Sequence, residues 1–166
     1  MDNQTYLKDA SDRVLEVLQD NFGDYFKAYV NGVMQEIPES LCPLIMATSS
    51  DGEINTDSSA SDKITEKLAI VMVLNQKDYL GSGGDAASVA DRELRRRTYA
   101  QDPTTMQYLP QTIMYALRRN FTLDGGVVDN RISFDFSPVQ RGQDYFTHEA
   151  TITLYIERMA LVPNRT

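Results

Sequence analysis

LAIVMVL, at residues 68–74, is a nearly continuous apolar run bounded by Lys67 and Asn75. A run of this length is typical of a β-strand that is covered on both faces. Further along the chain, residues 145–158 alternate between apolar and polar side chains. That alternation is typical of an antiparallel strand with one buried face, and His148 falls on its apolar side. Together the two segments predict that a β-sheet forms the centre of the fold.

Three helices are predicted around this sheet. Residues 9–22 carry apolar side chains at helical spacing, and Gly23 is placed to end that helix. A second helix is predicted over residues 86–99 with Asp85 as its N-cap. A third is predicted over residues 110–120, with a proline in its first turn.

Further strands are predicted on both sides of the apolar run. Residues 25–30 favour a short strand, although a helix continuing from residue 22 fits the same aromatic side chains. Residues 44–48 favour a strand that begins directly after a proline. Residues 127–136 also alternate, and residues 141–144 join them to the last strand as a hairpin. The prediction is one α+β domain spanning residues 1–166, with a mostly antiparallel mixed sheet flanked by helices and a long C-terminal β-hairpin.

One low-complexity segment interrupts these elements. Residues 49–63, SSDGEINTDSSASDK, are dominated by serine and aspartate, and so cannot bury a face. The sequence therefore predicts a long exposed loop, and loops of that length inside a domain are often functional. Its oxygen-bearing side chains do not follow the order of a calcium loop. The candidate partner-contact residues in this loop are Asp51, Glu53, Ile54, Asp57 and Asp62.

Composition limits the partners. The chain has 166 residues and a formal net charge of −8. Such an acidic chain repels nucleic acid, but it could line a passage through which DNA slides without binding. It contains no apolar run long enough for a membrane span and no secretory signal. We therefore expect no membrane partner and a protein that stays where it is made.

Reactive residues are sparse. His148 is the only histidine, and a residue of the strand interior is the favoured interpretation. Cys42 is the only cysteine and lies among apolar neighbours, which favours an inert buried thiol. The glycine-rich segment at residues 81–84 matches neither phosphate-binding fingerprint. We predict no catalytic residue, no metal site and no cofactor. A small hydrolase remains a less favoured alternative, because paired carboxylates cannot be judged from sequence.

Arginines concentrate in the two later helices. In such helices they can form a solvated face or complement the helix dipole. They can equally pair with carboxylates of a neighbouring subunit, and these two interpretations stay open. A nucleic-acid patch is third, because no aromatic residues interleave with them. The candidate subunit-interface residues are Arg92, Arg95, Arg96, Arg97, Arg118 and Arg119.

The order of these elements resembles that of the tail terminator and related neck proteins of tailed bacteriophages. The resemblance rests on an N-terminal amphipathic helix followed by YFKAYVNG (25–32), then EIPESLCPLIMA (36–47), a buried strand and a helical middle. It ends on a long hairpin closing in TITLYIERMALVP (151–163). The proline-bearing segment that leads into a short strand carries most of it. The resemblance covers nearly the whole chain in order of elements.

The resemblance implies a virion protein of the tail or neck, assembled in the host cytoplasm. It implies a ring of identical subunits, commonly a hexamer, that caps the tail tube and offers a surface to the head connector. The implied partners are other copies of the chain, the tail tube protein, the head connector or neck protein and, in a contractile tail, the sheath. DNA would pass through the lumen without specific binding. The resembled family has no catalytic residues to carry over. Another head–tail adaptor, neck or baseplate structural component is the alternative.

Overall fold

Three α-helices and six β-strands make up the described part of the chain, which in this computed structural model comprises residues 9–120, 122–123, 126–143 and 145–163. The helices are α1 (Ala10–Phe22), α2 (Ala86–Tyr99) and α3 (Ile113–Arg119). The strands are β1 (Ala28–Asn31), β2 (Leu44–Ser58), β3 (Ser61–Asn75), β4 (Thr122–Leu123), β5 (Gly126–Gln140) and β6 (Phe146–Leu161). The α+β prediction is confirmed.

The strands form one sheet in the order β1-β2-β3-β6-β5-β4. Only β1 and β2 are parallel, and every other neighbouring pair is antiparallel. The predicted hairpin between β5 and β6 is present, with Gln140 opposite Phe146. The predicted turn residue Asp144 lies outside the described residues.

All three helices pack on one face of the sheet, which we call the helix-covered face. Alternate residues of the central strands point to this face, as the two-residue period of a strand requires. Leu68, Ile70 and Ile152 are fully buried there, together with Leu18 of α1 and Leu117 of α3. The period-two pattern of residues 145–158 is confirmed from Ala150 to Ile156, whereas Thr147 and Glu149 on the opposite face are buried as well. Phe146, the first residue predicted on that face, is 40% exposed.

On the opposite face, which we call the open face, the described residues provide cover at one end. There the segment 32–43 packs over Leu44, Met46 and Val73 in a second small cluster. Further along β3, Ala69 and Val71 are only half-buried. The prediction that the apolar run is covered on both faces therefore holds only at its C-terminal end.

Two element boundaries differ from prediction. The first strand begins at Ala28, because the aromatic residues before it form a 3-10 turn over Gly23–Tyr25 and pack around Phe26. The third helix begins at Ile113 and not at residue 110. Gln111 has a left-handed φ of 59°, so no helix can run through it. Thr112 caps the helix by accepting a hydrogen bond from the Tyr115 amide.

The largest correction concerns residues 49–63. They do not form a loop: they extend β2 to Ser58, turn at residues 59–60 and begin β3 at Ser61. Composition predicted correctly that Ser50–Ser58 is exposed but wrongly that it is irregular. The strands persist because β3 pairs with β6 along its whole length, from Ser61 opposite Leu161 to Asn75 opposite Thr147. Backbone hydrogen bonds to a third strand thus replace the buried side chains that the segment lacks.

Candidate assembly surface

Half of the sheet extends beyond the helices. The last buried residues of β2 and the first of β3 on the helix-covered face are Ala47 and Leu68. Beyond them, residues 50–67 form what we call the projecting hairpin. Every residue from 50 to 60 is exposed, including Ile54 at 69% of its surface. The end of β6 accompanies the hairpin and exposes Met159 and Leu161. This half of the sheet therefore offers both its faces to a partner.

Cross-strand ion pairs hold the projecting hairpin against β6. Glu66 pairs with Arg158 on the helix-covered face. Lys63 Nζ lies 3.3 Å from Glu157 Oε1 on the open face. The Lys63–Glu157 pair is exposed, and such pairs contribute about 0.2–1 kcal/mol. The Glu66–Arg158 pair is less exposed. The hairpin is therefore stabilised mainly by the backbone hydrogen bonds between its strands, and the ion pairs make a smaller contribution.

The predicted contact acids all lie in the projecting hairpin, but on different faces. Asp51 is opposite Lys67 and Glu53 is opposite Thr65, so both carboxylates are on the open face. Ile54 and Asp62 fall on the helix-covered face by the same register, and Asp57 occupies a bulge beside Ser58. Asp62 is half-buried and the other four residues are exposed. The segment thus presents Asp51 and Glu53 on the open face, and Ile54 together with the half-buried Asp62 on the helix-covered face.

Two of the predicted interface arginines are bound within their own helix. Arg95 Nε donates to Asp91 at 2.9 Å, and Arg97 Nε donates to Glu93 at 2.7 Å. Arg97 is largely buried, and its guanidinium lies 4.1 Å from the ring centroid of Tyr25. That geometry fixes α2 against the segment after α1, so Arg97 serves the fold of the single chain.

Arg92 and Arg96 differ from these two. Both side chains are exposed, and neither forms an ion pair with another residue in the described part of the chain. They lie one helical turn apart, so they share one stripe of α2. Of the predicted α2 arginines, these two are the ones available to a partner.

The arginines of α3 do not join that stripe. Arg119 donates to the Tyr115 hydroxyl at 2.6 Å and lies beside Asp20 of α1. Arg118 precedes it at the end of α3 and is half-buried. The N-terminal end of α3 is the one near α2, where Arg97 donates to Gln111. The two arginine groups are therefore separate surfaces.

An aromatic cluster over β5 was missed at the sequence level. The rings of Tyr99 and Phe134 are 5.2 Å apart, and those of Phe134 and Phe136 are 5.4 Å apart. The Arg95 guanidinium lies 4.5 Å from the Phe136 centroid. Phe134 is 50% exposed although its strand pattern predicts an inward side chain. Aromatic residues beside arginine are enriched at protein interfaces, so their alternation in residues 132–136 was the available signal.

His148 and Cys42, the two potentially reactive residues named in the sequence analysis, are both buried. Burial lowers the pKa of His148, and its Nε2 has no hydrogen-bond partner in the described structure. Burial likewise raises the pKa of the Cys42 thiol, whose Sγ lies 3.2 Å from the Tyr145 hydroxyl. Within the described ranges no three histidine, cysteine or acidic residues are grouped to hold a metal ion. No helix in those ranges is long and apolar enough to cross a membrane.

Comparisons with known proteins add no relative. No protein-family model matches the chain, and no curated protein matches it.

Proposed function

We propose that this chain is a structural protein of a phage virion: a tail terminator whose ring caps the tail tube and joins it to the head connector. The observation that carries the proposal is the projecting hairpin. With the adjoining end of β6, it exposes Ile54 on one face of the sheet and Met159 and Leu161 on the other, where no described helix covers them. Its outer strand β2 also has an unpaired edge beyond Ala47 in the described structure, and an exposed strand edge of this kind is a ready site for pairing with another chain. The order of elements described above supplies the phage assignment.

The proposed partners follow from that role. Copies of the chain form a ring, a hexamer in this proposal, and the ring contacts the tail tube protein, the head connector and, in a contractile tail, the sheath. Identical subunits close a ring only through two different patches that meet. In this proposal the two patches are the projecting hairpin and the surface that carries Arg92 and Arg96 of α2 and Phe134 of β5. The net charge of −8 suits a lumen through which DNA passes without adhering. The site of action would be the tail or neck of the virion, after assembly in the host cytoplasm.

Electron microscopy of the purified protein tests the proposal. We expect closed rings of uniform diameter with a central opening. Isolated particles of single-chain size at every concentration would contradict it. If rings form, addition to polymerising tail tube protein separates the two phage roles. A terminator stops the tubes at a defined length, whereas a neck adaptor leaves tube length unchanged.

A further inference from the structure

Two strands of the sheet have long edges without a partner in the described part of the chain. β1 pairs with β2 only at Leu44–Ala47, which leaves the outer edge of residues 48–58 open. β4 pairs with β5 only at Gly126 and Val127, which leaves residues 128–140 open. Unpaired edges carry rows of free backbone donors and acceptors and readily accept another strand.

The directions of these two edges are complementary. β2, β3, β6 and β5 are successive antiparallel neighbours, so β5 runs opposite to β2. A second copy placed beside the first in the same orientation therefore brings its β5 antiparallel to the open edge of β2. The contact joins the β2 edge of one copy to the β5 edge of the next. The pair therefore still has one free β2 edge and one free β5 edge. The contact is thus of the heterologous type from which rings are built.

The side chains on the two edges also match. Ile54 of β2 and Phe134 of β5 both lie on the helix-covered face, and both are at least half exposed. When two sheets join edge to edge their faces continue, so the two side chains fall on the same side of the joint. Pairs of an aromatic and a β-branched residue across neighbouring strands are stabilising. In the register that sets Ile54 opposite Phe134, the exposed Arg131 of β5 falls near Asp57 of the other copy.

Charge argues against the simplest alternative, in which two β2 edges pair with each other. Residues 51–57 of β2 contain Asp51, Glu53 and Asp57 and no basic residue. A two-fold β2–β2 contact would set these carboxylates against their own copies, and like charges directly opposite are destabilising. Acidic edges and bulges are devices that prevent such self-pairing. Residues 129–137 of β5 carry two acids, Asp129 and Asp135, and one base, Arg131, so the edge of β5 repels the acidic edge of β2 less than a second β2 edge does.

We propose that the edge of β2 at residues 48–58 in one copy pairs antiparallel with β5 of the next copy, between residues 129 and 137. The sheet then continues from subunit to subunit. The inference rests on the proposed ring and names the surfaces that form it. Pro138 of β5 has no amide hydrogen, and it marks the end of the added pairing.

Paired edge variants test the proposal. Ile54→Asp spoils the β2 edge and leaves β5 intact, while Phe134→Asp does the reverse. Leu80→Asp is the matched control, because Leu80 is an exposed apolar residue outside the strands of the sheet. In sedimentation velocity we expect the wild type and Leu80→Asp to be oligomers, and each edge variant alone to be a single chain. Phe134→Ser serves as the second variant if Phe134→Asp does not fold.

Mixing the two edge variants gives the decisive result. One intact β2 edge and one intact β5 edge are then present, so we expect a 1:1 pair that cannot grow. Amides of residues 51–57 and 131–137 should also lose hydrogen exchange protection when the wild type is diluted to single chains.

Other outcomes overturn the inference in distinguishable ways. If Phe134→Asp alone stays associated, the contact is β2 with β2, and if Ile54→Asp alone stays associated, it is β5 with β5. An oligomer that neither substitution weakens overturns the edge pairing and leaves the proposed ring standing. A wild type that is monomeric at every concentration overturns both.

Discussion

The two halves of the sheet are built from the same strands but depend on different interactions. In the covered half, β3 contributes Leu68, Ile70 and Met72 to a core closed by three helices. In the projecting half the same strand contributes Lys63, Thr65 and Glu66, none of them fully buried. The backbone ladder runs through both halves without a register shift between β3 and β6. Side-chain burial therefore determines which half of the sheet is stable, whereas strand pairing determines how far the sheet extends.

The sharpest way to test this contrast is to truncate an isoleucine in the covered half. Ile70→Ala removes a fully buried side chain from the core beneath the helices. We expect the free energy of unfolding to fall by about 2–5 kcal/mol, as for other large-to-alanine core substitutions. Urea denaturation followed by circular dichroism measures it. A loss below about 1 kcal/mol would mean that the helices do not seal this face.

A glycine in the projecting half should give the next largest effect. A Cβ on Gly52 would lie only 2.4 Å from the backbone carbonyl oxygen of Thr65, so β2 must shift away from β3. For Gly52→Ala we expect a loss of about 1–3 kcal/mol, the range for overpacking substitutions. Ser50→Ala, at a neighbouring exposed position, is the control and should change little. If Gly52→Ala is as stable as the wild type, β2 and β3 can separate at this position without loss of stability, which would contradict the close packing of the two strands there.

Protonation of His148 should destabilise the covered half. Burial holds the pKa of His148 below its ordinary value of 6.5, and Asp91 and Asp85 only partly oppose this. The unfolded chain therefore binds the proton at higher pH than the folded chain. The free energy of unfolding should be at its full value above about pH 6.5 and fall as the pH drops through that value. Urea titrations between about pH 5 and 8 should show a weaker dependence for His148→Gln. Equal slopes for the two proteins would contradict the buried neutral imidazole.

The smallest effect on stability is expected for Ile54→Ala. It is the same substitution as Ile70→Ala, made in the projecting half of the sheet and not in the covered half. Ile54 is 69% exposed and contributes to no buried cluster. At dilutions where the chain is monomeric, we expect a change within about 0.5 kcal/mol. A loss comparable to that of Ile70→Ala would show that the projecting hairpin is part of the folding core.

Elements with a strong local signal were predictable from sequence. The helix over residues 86–99 agrees with α2, and the Asp85 side chain accepts the Ser88 amide as its cap. Alternation from Ala150 to Ile156 gave the buried face of β6 directly. Each of these signals is local, because the cap residue or the period of the strand is itself in the segment.

Features that depend on residues far away in the sequence were not predictable from local sequence patterns. The strands at residues 49–63 exist because β6, almost a hundred residues later, pairs with β3. Composition alone carries no information about that pairing. Likewise, the arginine group of α2 looked uniform in sequence, yet Arg97 is stacked on Tyr25 and Arg96 is exposed. Which arginine is free for a partner was decided by tertiary contacts.

The most direct test of the account separates assembly from folding in one protein. Replacing residues 54–64 with an Asn-Gly turn joins Glu53 to Thr65, which are already opposite each other. Molar mass by light scattering and the unfolding temperature are then compared with those of the full chain. The account predicts a folded protein with the mass of one chain, beside a full chain whose mass is a fixed multiple of 18.7 kDa. A shortened protein that still assembles like the full chain, or that no longer folds, would contradict it.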